Sequence, residues 1–306
     1  MSFKVDNSDL DFTEQFVKYG VAVVRNLVDK AFCDEALDEI RRVLDEDRPL
    51  NEWTVDKPGV RFLPFYEDLG RANFERNAVL EKIFDQPRLR AAFEKLHGGP
   101  GKWDGVRNYT VMVKPYDPNA KAKLGNMFHE DFGTPPPAIL YRGFNAFLLV
   151  ADTEPFSGNF MCKPGSHIIA QRKLIETPEA DGNDPPFRDA VVDGLPTYEF
   201  VGKAGDVLFW HHLLYHEGNN SHSEHHLPRV AVVGEVYREK WLTEIDADRT
   251  DLSPWERSLA QNGSYKTVRD EAQAERHQRA KQIAKFEAEH GVTVDDKWKH
   301  YSDWAG

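Results

Sequence analysis

The chain of 306 residues is poor in cysteine and has no long apolar run. Cys33 and Cys162 are its two cysteines, too few for a disulfide framework, and we expect two reduced thiols rather than a bridge. No apolar run approaches the ~20 residues that span a bilayer. The opening, MSFKVDNSDLDF, has neither the basic nor the apolar part of a secretory signal. These absences predict a cytoplasmic protein that does not enter a membrane.

Positive charge is also scarce, since 39 Lys and Arg stand against 51 Asp and Glu, a formal net charge of −12. Nucleic-acid-binding proteins concentrate Lys and Arg on one face, and an anionic membrane surface attracts the same kind of cluster. The sequence has no such basic block, so nucleic acid and membranes are not expected as partners, and a small molecule is. The same balance disfavours a highly anionic substrate unless one local basic pocket overrules it.

Core material, in contrast, is ample, with 40% hydrophobic and 12% aromatic residues. Residues 1–104 are predicted to form a flank of helices with one strand. The segment DFTEQFVKY is predicted as a helix capped by Ser8 or Asp11, VAVVRNL as a buried strand, and KAFCDEALDEIRRVLDE as an amphipathic helix. A second helical stretch over about 73–97 is expected to be interrupted near Pro87.

Residues 105–238 change in character to short apolar segments separated by turn residues. Short strands without long helices between them predict an antiparallel barrel or jelly roll, so the fold class is mainly β with helical flanks. Residues 170–196, polar and rich in Pro and Gly, are predicted to be a long loop over the barrel mouth. Residues 239–306 are predicted to be a helical extension of the same single domain, with a charged helix that packs on the barrel, mediates a homodimer or is solvated.

Chemistry is indicated first by His129-Glu130-Asp131, within the predicted strand GNMFHEDF. Because side chains alternate along a strand, His129 and Asp131 are expected on one face and Glu130 on the other. One imidazole and one carboxylate on one face supply two of the three ligands of a facial triad. Taken alone, the tripeptide is a weak signal, since a strand can also carry polar residues on its wet face.

A third ligand must come from a distant strand, and the apolar segment DVLFWHHLLYH ends in His216. A histidine at the end of a buried strand needs a partner or a metal, and His211 and His212 are its rivals. The next predicted strand, PRVAVVGEVY, begins with Arg229. A buried arginine is costly unless it meets an anion, and its guanidinium matches a carboxylate in two parallel hydrogen bonds. Arg229 could in this way grip the far end of a dicarboxylate such as 2-oxoglutarate.

These motifs resemble those of the phytanoyl-CoA dioxygenase family of iron(II)- and 2-oxoglutarate-dependent oxygenases. The resemblance extends over roughly residues 10–238 and is carried by FTEQFVKYGVAVVRNLVDKAFCDEALDEIRR, TVMVKPYDPN, LLVADTEPFSGNFMCKPGSH, GDVLFWHHLLYHEGNNS and LPRVAVVGEVY. It implies a double-stranded β-helix (jelly roll, cupin-like) core. It also implies iron(II) held by His129, Asp131 and His216 as the catalytic centre, 2-oxoglutarate bound by Arg229, and dioxygen as oxidant.

Further site residues follow from the same resemblance. Thr110 and Asn108 are expected to bind the co-substrate, because they share a strand face that lines this pocket in relatives. The interval from His216 to Arg229, 229 − 216 = 13, is slightly longer than in relatives, which makes His222 a later candidate for the distal ligand. His167, after Pro-Gly-Ser, is expected to stabilise that turn.

The activity implied by the resemblance is oxidation of an unactivated C–H bond of a small molecule, in the first place hydroxylation, with release of succinate and carbon dioxide. Related halogenating enzymes replace the carboxylate ligand with a small residue, so Asp131 favours hydroxylation. A secondary metabolite or an amino-acid-like compound is the expected substrate, with Arg61 and Arg142 as candidate anion contacts. Two alternatives remain open: a zinc hydrolase using the same ligands, and a double-stranded β-helix protein that binds a metal or small molecule without turnover.

Overall fold

The computed structural model describes residues 10–54, 77–118, 128–131, 143–177, 180–218, 221–237 and 248–260. The helices in these ranges are α1 (Phe12–Tyr19), α2 (Lys30–Leu44), α3 (Ala78–Glu81), α4 (Pro87–His97), α5 (Ser166–Glu176), α6 (Pro185–Val192) and α7 (Pro254–Ala260), with 3-10 turns at Leu50–Glu52 and Lys82–Asp85. The strands are β1 (Val21–Val24), β2 (Gly105–Lys114), β3 (Phe144–Leu149), β4 (Phe160–Cys162), β5 (Tyr198–Glu199), β6 (Val207–His211), β7 (His216–Gly218) and β8 (Arg229–Tyr237).

The first helix begins and ends where the sequence predicts. The Asp11 side chain accepts hydrogen bonds from the backbone N–H groups of Thr13 and Glu14, which caps the start of α1. Gly20 ends the helix at φ +69°, a conformation that costs glycine little because it has no Cβ. The predicted order of helix, strand and helix is confirmed by β1 and α2, which follow directly.

The strands form two antiparallel sheets. The main sheet has the strand order β1-β6-β3-β8-β2, and the small sheet has the order β5-β4-β7. The prediction of a mainly β fold with helical flanks is confirmed, but in the described part of the chain the sheets stay separate and do not close into a barrel. The division of the chain at residues 104 and 105 stays a prediction, although β1, from the N-terminal flank, is an edge strand of the main sheet.

The main sheet is buried on both faces, and its side chains alternate between two apolar layers. In β6, Phe209 packs against α1 and α4 through Phe12 and Phe93. Its neighbour Trp210 faces the small sheet and packs against Phe160 at a ring-centroid distance of 5.0 Å. We call the layer between the two sheets the inter-sheet core; its buried members are Val21, Val23, Phe147, Leu149, Phe160, Cys162, Tyr198, Phe200, Leu208, Trp210, Leu214 and Ala231.

The prediction of a long loop over residues 170–196 is wrong, because α5 and α6 occupy most of this segment. Gly165, at φ +89°, immediately precedes α5, and Pro185 lies at the start of α6. Proline suits the first turn of a helix, where its missing N–H would have no intrahelical partner. Pro185 therefore marks the start of a helix and not a loop.

Two predicted strands also differ from the structure. The segment DVLFWHHLLYH is not one strand: β6 ends at His211, residues 212–215 turn, and β7 begins at His216. In residues 128–131, the described part of GNMFHEDF, an isolated β-bridge at His129 replaces the predicted strand. Arg61, Arg142 and the predicted C-terminal helix lie outside the described residues.

Two findings bear on the environment of the protein. No described helix is both long enough and apolar enough to cross a membrane. Cys33 and Cys162 are buried free thiols, and burial raises the pKa of Cys33 to about 12. A thiol with such a pKa stays protonated near neutral pH and is a poor nucleophile.

Candidate metal centre

Backbone hydrogen bonds join the His129-Glu130-Asp131 segment to the turn before β7. The N–H of His129 donates to the carbonyl of His216 at 3.0 Å, and the N–H of His216 donates back at 2.9 Å. The N–H of Asp131 donates to the carbonyl of His212 at 3.3 Å. These bonds fix two segments that are distant in the sequence at the spacing of paired strands. The three predicted ligands are thereby brought to one place.

The side chains of His129, Asp131 and His216 converge, as their predicted roles require. One ligand atom from each residue lies within 4.8 Å of the others, and His216 Nε2 is 3.3 Å from Asp131 Oδ1. His129 and Asp131 are exposed whereas Glu130 is buried, which is the predicted alternation of faces. Two imidazoles and one carboxylate are the donor set of a facial triad, which leaves positions on a metal open. Among the described residues this is the one such group of three.

The ring of His216 is held in the orientation that a metal ligand needs. Its Nδ1 lies 2.8 Å from the carbonyl oxygen of Leu214, to which only a protonated nitrogen can donate. In the neutral ring, Nε2 then carries the free lone pair and faces Asp131. The ring also stacks on Phe160, with an interplanar angle of 14° and a centroid distance of 5.0 Å.

The carboxylate of Asp131 is fixed through one of its two oxygens. Oδ2 accepts hydrogen bonds from Asn145 Nδ2 at 2.8 Å and from Trp210 Nε1 at 3.0 Å. Oδ1 is left to face His216 Nε2. Such hydrogen bonds to the second oxygen favour coordination of a metal through a single oxygen. Asn145 was missed by the sequence-based prediction, because it is one polar residue in the apolar run of β3.

Protonation of the centre is governed by two opposing effects. The side chain of Asp131 is only 29% exposed, and this partial removal from water by itself would raise the pKa of its carboxyl, but the charge and hydrogen bond of His216 outweigh it and lower this pKa. Burial would likewise lower the pKa of His216, but Asp131 outweighs it and raises that pKa. In the absence of a metal these two shifts favour an ion pair between Asp131 and His216. A divalent cation would take the place of the shared proton.

Glu130, between the two ligands, is braced from the opposite side by Asn183. The backbone N–H of Glu130 donates to Asn183 Oδ1 at 3.0 Å, and Asn183 Nδ2 donates to the carbonyl of Glu130 at 3.2 Å. The amide of Asn183 thus pairs with this backbone as a neighbouring strand would. The Tyr215 hydroxyl, which donates to the carbonyl of Gly182, ties the same loop to the turn before β7.

We expect Asn183→Ala to weaken metal binding about 10- to 100-fold although Asn183 is not itself a ligand. The substitution leaves the backbone N–H and carbonyl of Glu130 without these partners and loosens both flanking ligands. Calorimetric titration of the protein with nickel(II) measures the effect. Asn51→Ala, at an exposed position of the first 3-10 turn, is the matched control and should bind nickel as the parent does. Equal affinity in the two variants would contradict a positioning role.

Arg229, the first residue of β8, is a buried cation, with 8% exposure. Its guanidinium lies over the Phe147 ring, 5.5 Å from the centroid, and against Gly218 of β7, where a Cβ would be 3.4 Å from Nη1. Nε has no hydrogen-bond partner among the described residues. Burial lowers the pKa of Arg229 to about 10, so the group is still protonated near neutral pH. A buried cation of this kind is stabilised when an anion binds to it.

The strand face predicted to line the co-substrate pocket looks into the space between the sheets. In β2, Thr110 lies opposite Val233 and Met112 lies opposite Ala231. Met112, Val233 and Ala231 all belong to or pack on the inter-sheet core. Thr110 shares their face because side chains two residues apart on a strand point the same way. The side chain of Asn108 lies outside the described part of the chain, so its predicted contact stays a prediction.

The rival histidines occupy other environments. His211 Nδ1 accepts a hydrogen bond from the N–H of Leu213 at 3.0 Å, and its ring packs against Phe16. His222 packs on Phe156, with a ring-centroid distance of 4.8 Å. His167 is buried, with Nε2 3.2 Å from the carbonyl of Val17 in α1, and its predicted stabilisation of the Pro-Gly-Ser turn stays a prediction. His212 contributes its backbone carbonyl to the centre.

A model of the family described as phytanoyl-CoA dioxygenase (PhyH) matches residues 16–231. No curated protein matches the sequence. A similar solved structure is the non-haem alpha-ketoglutarate-dependent epimerase SnoN from nogalamycin biosynthesis, with 20% identity, a TM-score of 0.52 and coverage of 74% of this chain and 82% of that one. Another is EctD from S. alaskensis with 2-oxoglutarate and 5-hydroxyectoine, with 15% identity, a TM-score of 0.54 and coverage of 78% and 79%. At these identities the likeness establishes the fold.

Proposed function

Because the chain belongs to the phytanoyl-CoA dioxygenase (PhyH) family, we propose that it is an iron(II)- and 2-oxoglutarate-dependent oxygenase that hydroxylates a C–H bond of a small molecule. His129, Asp131 and His216 would hold iron(II), and Arg229 would bind the distal carboxylate of 2-oxoglutarate. The overall reaction consumes the substrate, 2-oxoglutarate and dioxygen and yields the hydroxylated product, succinate and carbon dioxide. Iron(II), when bound, supplies the activation of dioxygen that the side chains themselves cannot provide.

The observation that carries this proposal is the convergence of the three ligand atoms within 4.8 Å beside a buried arginine. The donor set fits iron(II), since two imidazoles and a carboxylate are the ligands of non-haem iron oxygenases. His216 and Asp131 each present one ligand atom while the other polar atom of the side chain is already hydrogen-bonded. Catalytic zinc sites can use the same three donors, so it is the buried Arg229 beside them that favours an oxygenase over a zinc hydrolase.

Other side chains would bind the co-substrate and exclude water from the metal centre. Arg229 binds and orients a carboxylate from the buried side, next to β7. Phe160 and Trp210 cover His216 and keep water from its buried face. The exposed faces of His129 and Asp131 are the open side, from which we propose that the small-molecule substrate approaches.

Hydroxylation is the outcome that we favour among the oxidations open to such a centre. In the related halogenating enzymes a small residue replaces the carboxylate ligand, and a halide binds in the space that it leaves. Here the carboxylate of Asp131 fills that position. The similar structures include an epimerase and a protein solved with a hydroxylated compound, 5-hydroxyectoine. A cytoplasmic location and a small-molecule substrate complete the proposal.

Anaerobic titration with iron(II) and 2-oxoglutarate tests the proposal directly. We expect a weak visible charge-transfer band that requires both additions, and succinate once dioxygen is admitted. A zinc hydrolase would give neither signal, and a protein that binds iron(II) and 2-oxoglutarate without turnover would give the band but no succinate. Absence of both signals in folded protein loaded with one equivalent of iron(II) would overturn the proposed function.

A further inference from the structure

A second cation lies beside Arg229 on the neighbouring strand. Lys114, the last residue of β2, is directly opposite Arg229, the first residue of β8, in the strand register. Residues directly opposite on antiparallel strands project to the same face of the sheet. That face borders the inter-sheet core, because Met112, two residues before Lys114, packs on this core. Both side chains therefore point into the space between the sheets.

Neither cation forms an ion pair with a carboxylate of a described residue. The Lys114 side chain is half-buried, and its ammonium group forms no hydrogen bond or ion pair with a described side chain. Burial, together with the charge of Arg229, lowers the pKa of Lys114, and Asp117 acts in the opposite direction. Like charges directly opposite on neighbouring strands destabilise a sheet. Two such cations in a chain with a net charge of −12 form a local positive site of the kind that an anion would neutralise.

Building on the proposed function, we propose that Lys114 is a further residue that binds the distal carboxylate of 2-oxoglutarate, beside Arg229. Arg229, the buried first residue of β8, would bind the carboxylate through its planar guanidinium. Lys114, the last residue of β2, is less buried than Arg229 and would bind the carboxylate through its ammonium group. One carboxylate has two oxygens and about four lone-pair directions, enough to accept hydrogen bonds from both cations.

The test is calorimetric binding of 2-oxoglutarate to the full-length protein loaded with nickel(II) in place of iron(II), so that no turnover accompanies binding. We expect Lys114→Met to raise the Kd for 2-oxoglutarate about 10- to 100-fold. Lys114→Arg, which keeps the positive charge, should recover most of the affinity. Lys30→Met removes the same charge from an exposed position on α2 and should leave the Kd unchanged.

The thermal stability of the metal-free variants separates this role from a structural one. Removal of one of two facing cations should leave the melting temperature of Lys114→Met unchanged or higher, whereas a structural lysine would lower it on removal. Lys114→Gln, which keeps a long polar side chain, serves the same purpose if the Met variant does not fold. A Kd within twofold of the parent in a folded variant would overturn the role of Lys114. Failure of the parent protein to bind 2-oxoglutarate would instead overturn the proposed function.

Discussion

Asp131→Ala is expected to abolish succinate formation from 2-oxoglutarate and to weaken metal binding severely. The variant keeps both histidines but loses the one anionic donor of the set. That carboxylate neutralises part of the charge of a divalent metal, which two neutral imidazoles do not. It also leaves Asn145 Nδ2 and Trp210 Nε1 without their acceptor. Loss of these hydrogen bonds should cost about 1–3 kcal/mol of folding free energy, so the folded state must be checked by circular dichroism.

Two further variants make this result decisive. Asp131→Asn keeps an oxygen that can accept from Asn145 and Trp210 while it removes the charge, so it should remain stable and still lose activity. Asp152→Ala removes a carboxylate of the same kind that is half-exposed and ion-paired with Lys203, and it should turn over as the parent does. Full succinate formation by folded Asp131→Ala would show that the carboxylate is not a ligand.

The residues of the candidate centre could be predicted from the sequence because the patterns that identify them lie within short segments of the chain. Side-chain alternation alone places His129 and Asp131 on one face, and this alternation survives even though residues 128–131 form a bridge rather than a strand. Arg229 was identifiable as a charged residue that opens an apolar strand. Both inferences need only the period of a strand and the cost of burying charge.

The supports of the centre could not be predicted, because they depend on contacts between distant segments. Asn183 reaches Glu130 across 53 residues of the chain, and no periodicity links them. The break between β6 and β7 was hidden for a related reason: every residue from Val207 to His216 is buried, so hydrophobicity does not distinguish strand from turn. The turn follows from long-range partners such as Ser166, whose Oγ accepts from the N–H of Tyr215.

Arg229→Met should weaken the binding of 2-oxoglutarate and at the same time stabilise the metal-free protein. Without the guanidinium, the Kd of the nickel-loaded protein for 2-oxoglutarate should rise by at least about 30-fold, since a buried charged contact to a carboxylate is worth roughly 2–5 kcal/mol. The metal-free protein, however, should become more stable. Arg229 is 8% exposed, Nε is unpartnered among the described residues, and Lys114 lies directly opposite.

The gain in stability follows from replacing a buried cation by an apolar side chain of similar length. Such exchanges of buried charges are neutral or stabilising by about 1–4 kcal/mol, which urea unfolding of the metal-free protein would resolve. Arg229→Lys keeps the charge but loses the planar fork, so its affinity for 2-oxoglutarate should fall between those of the parent and the Met variant. An arginine that served only the fold would give the reverse pattern, with stability lost and binding retained. A positive charge that costs stability in the empty protein and is needed when the dicarboxylate binds can be explained only by the ligand.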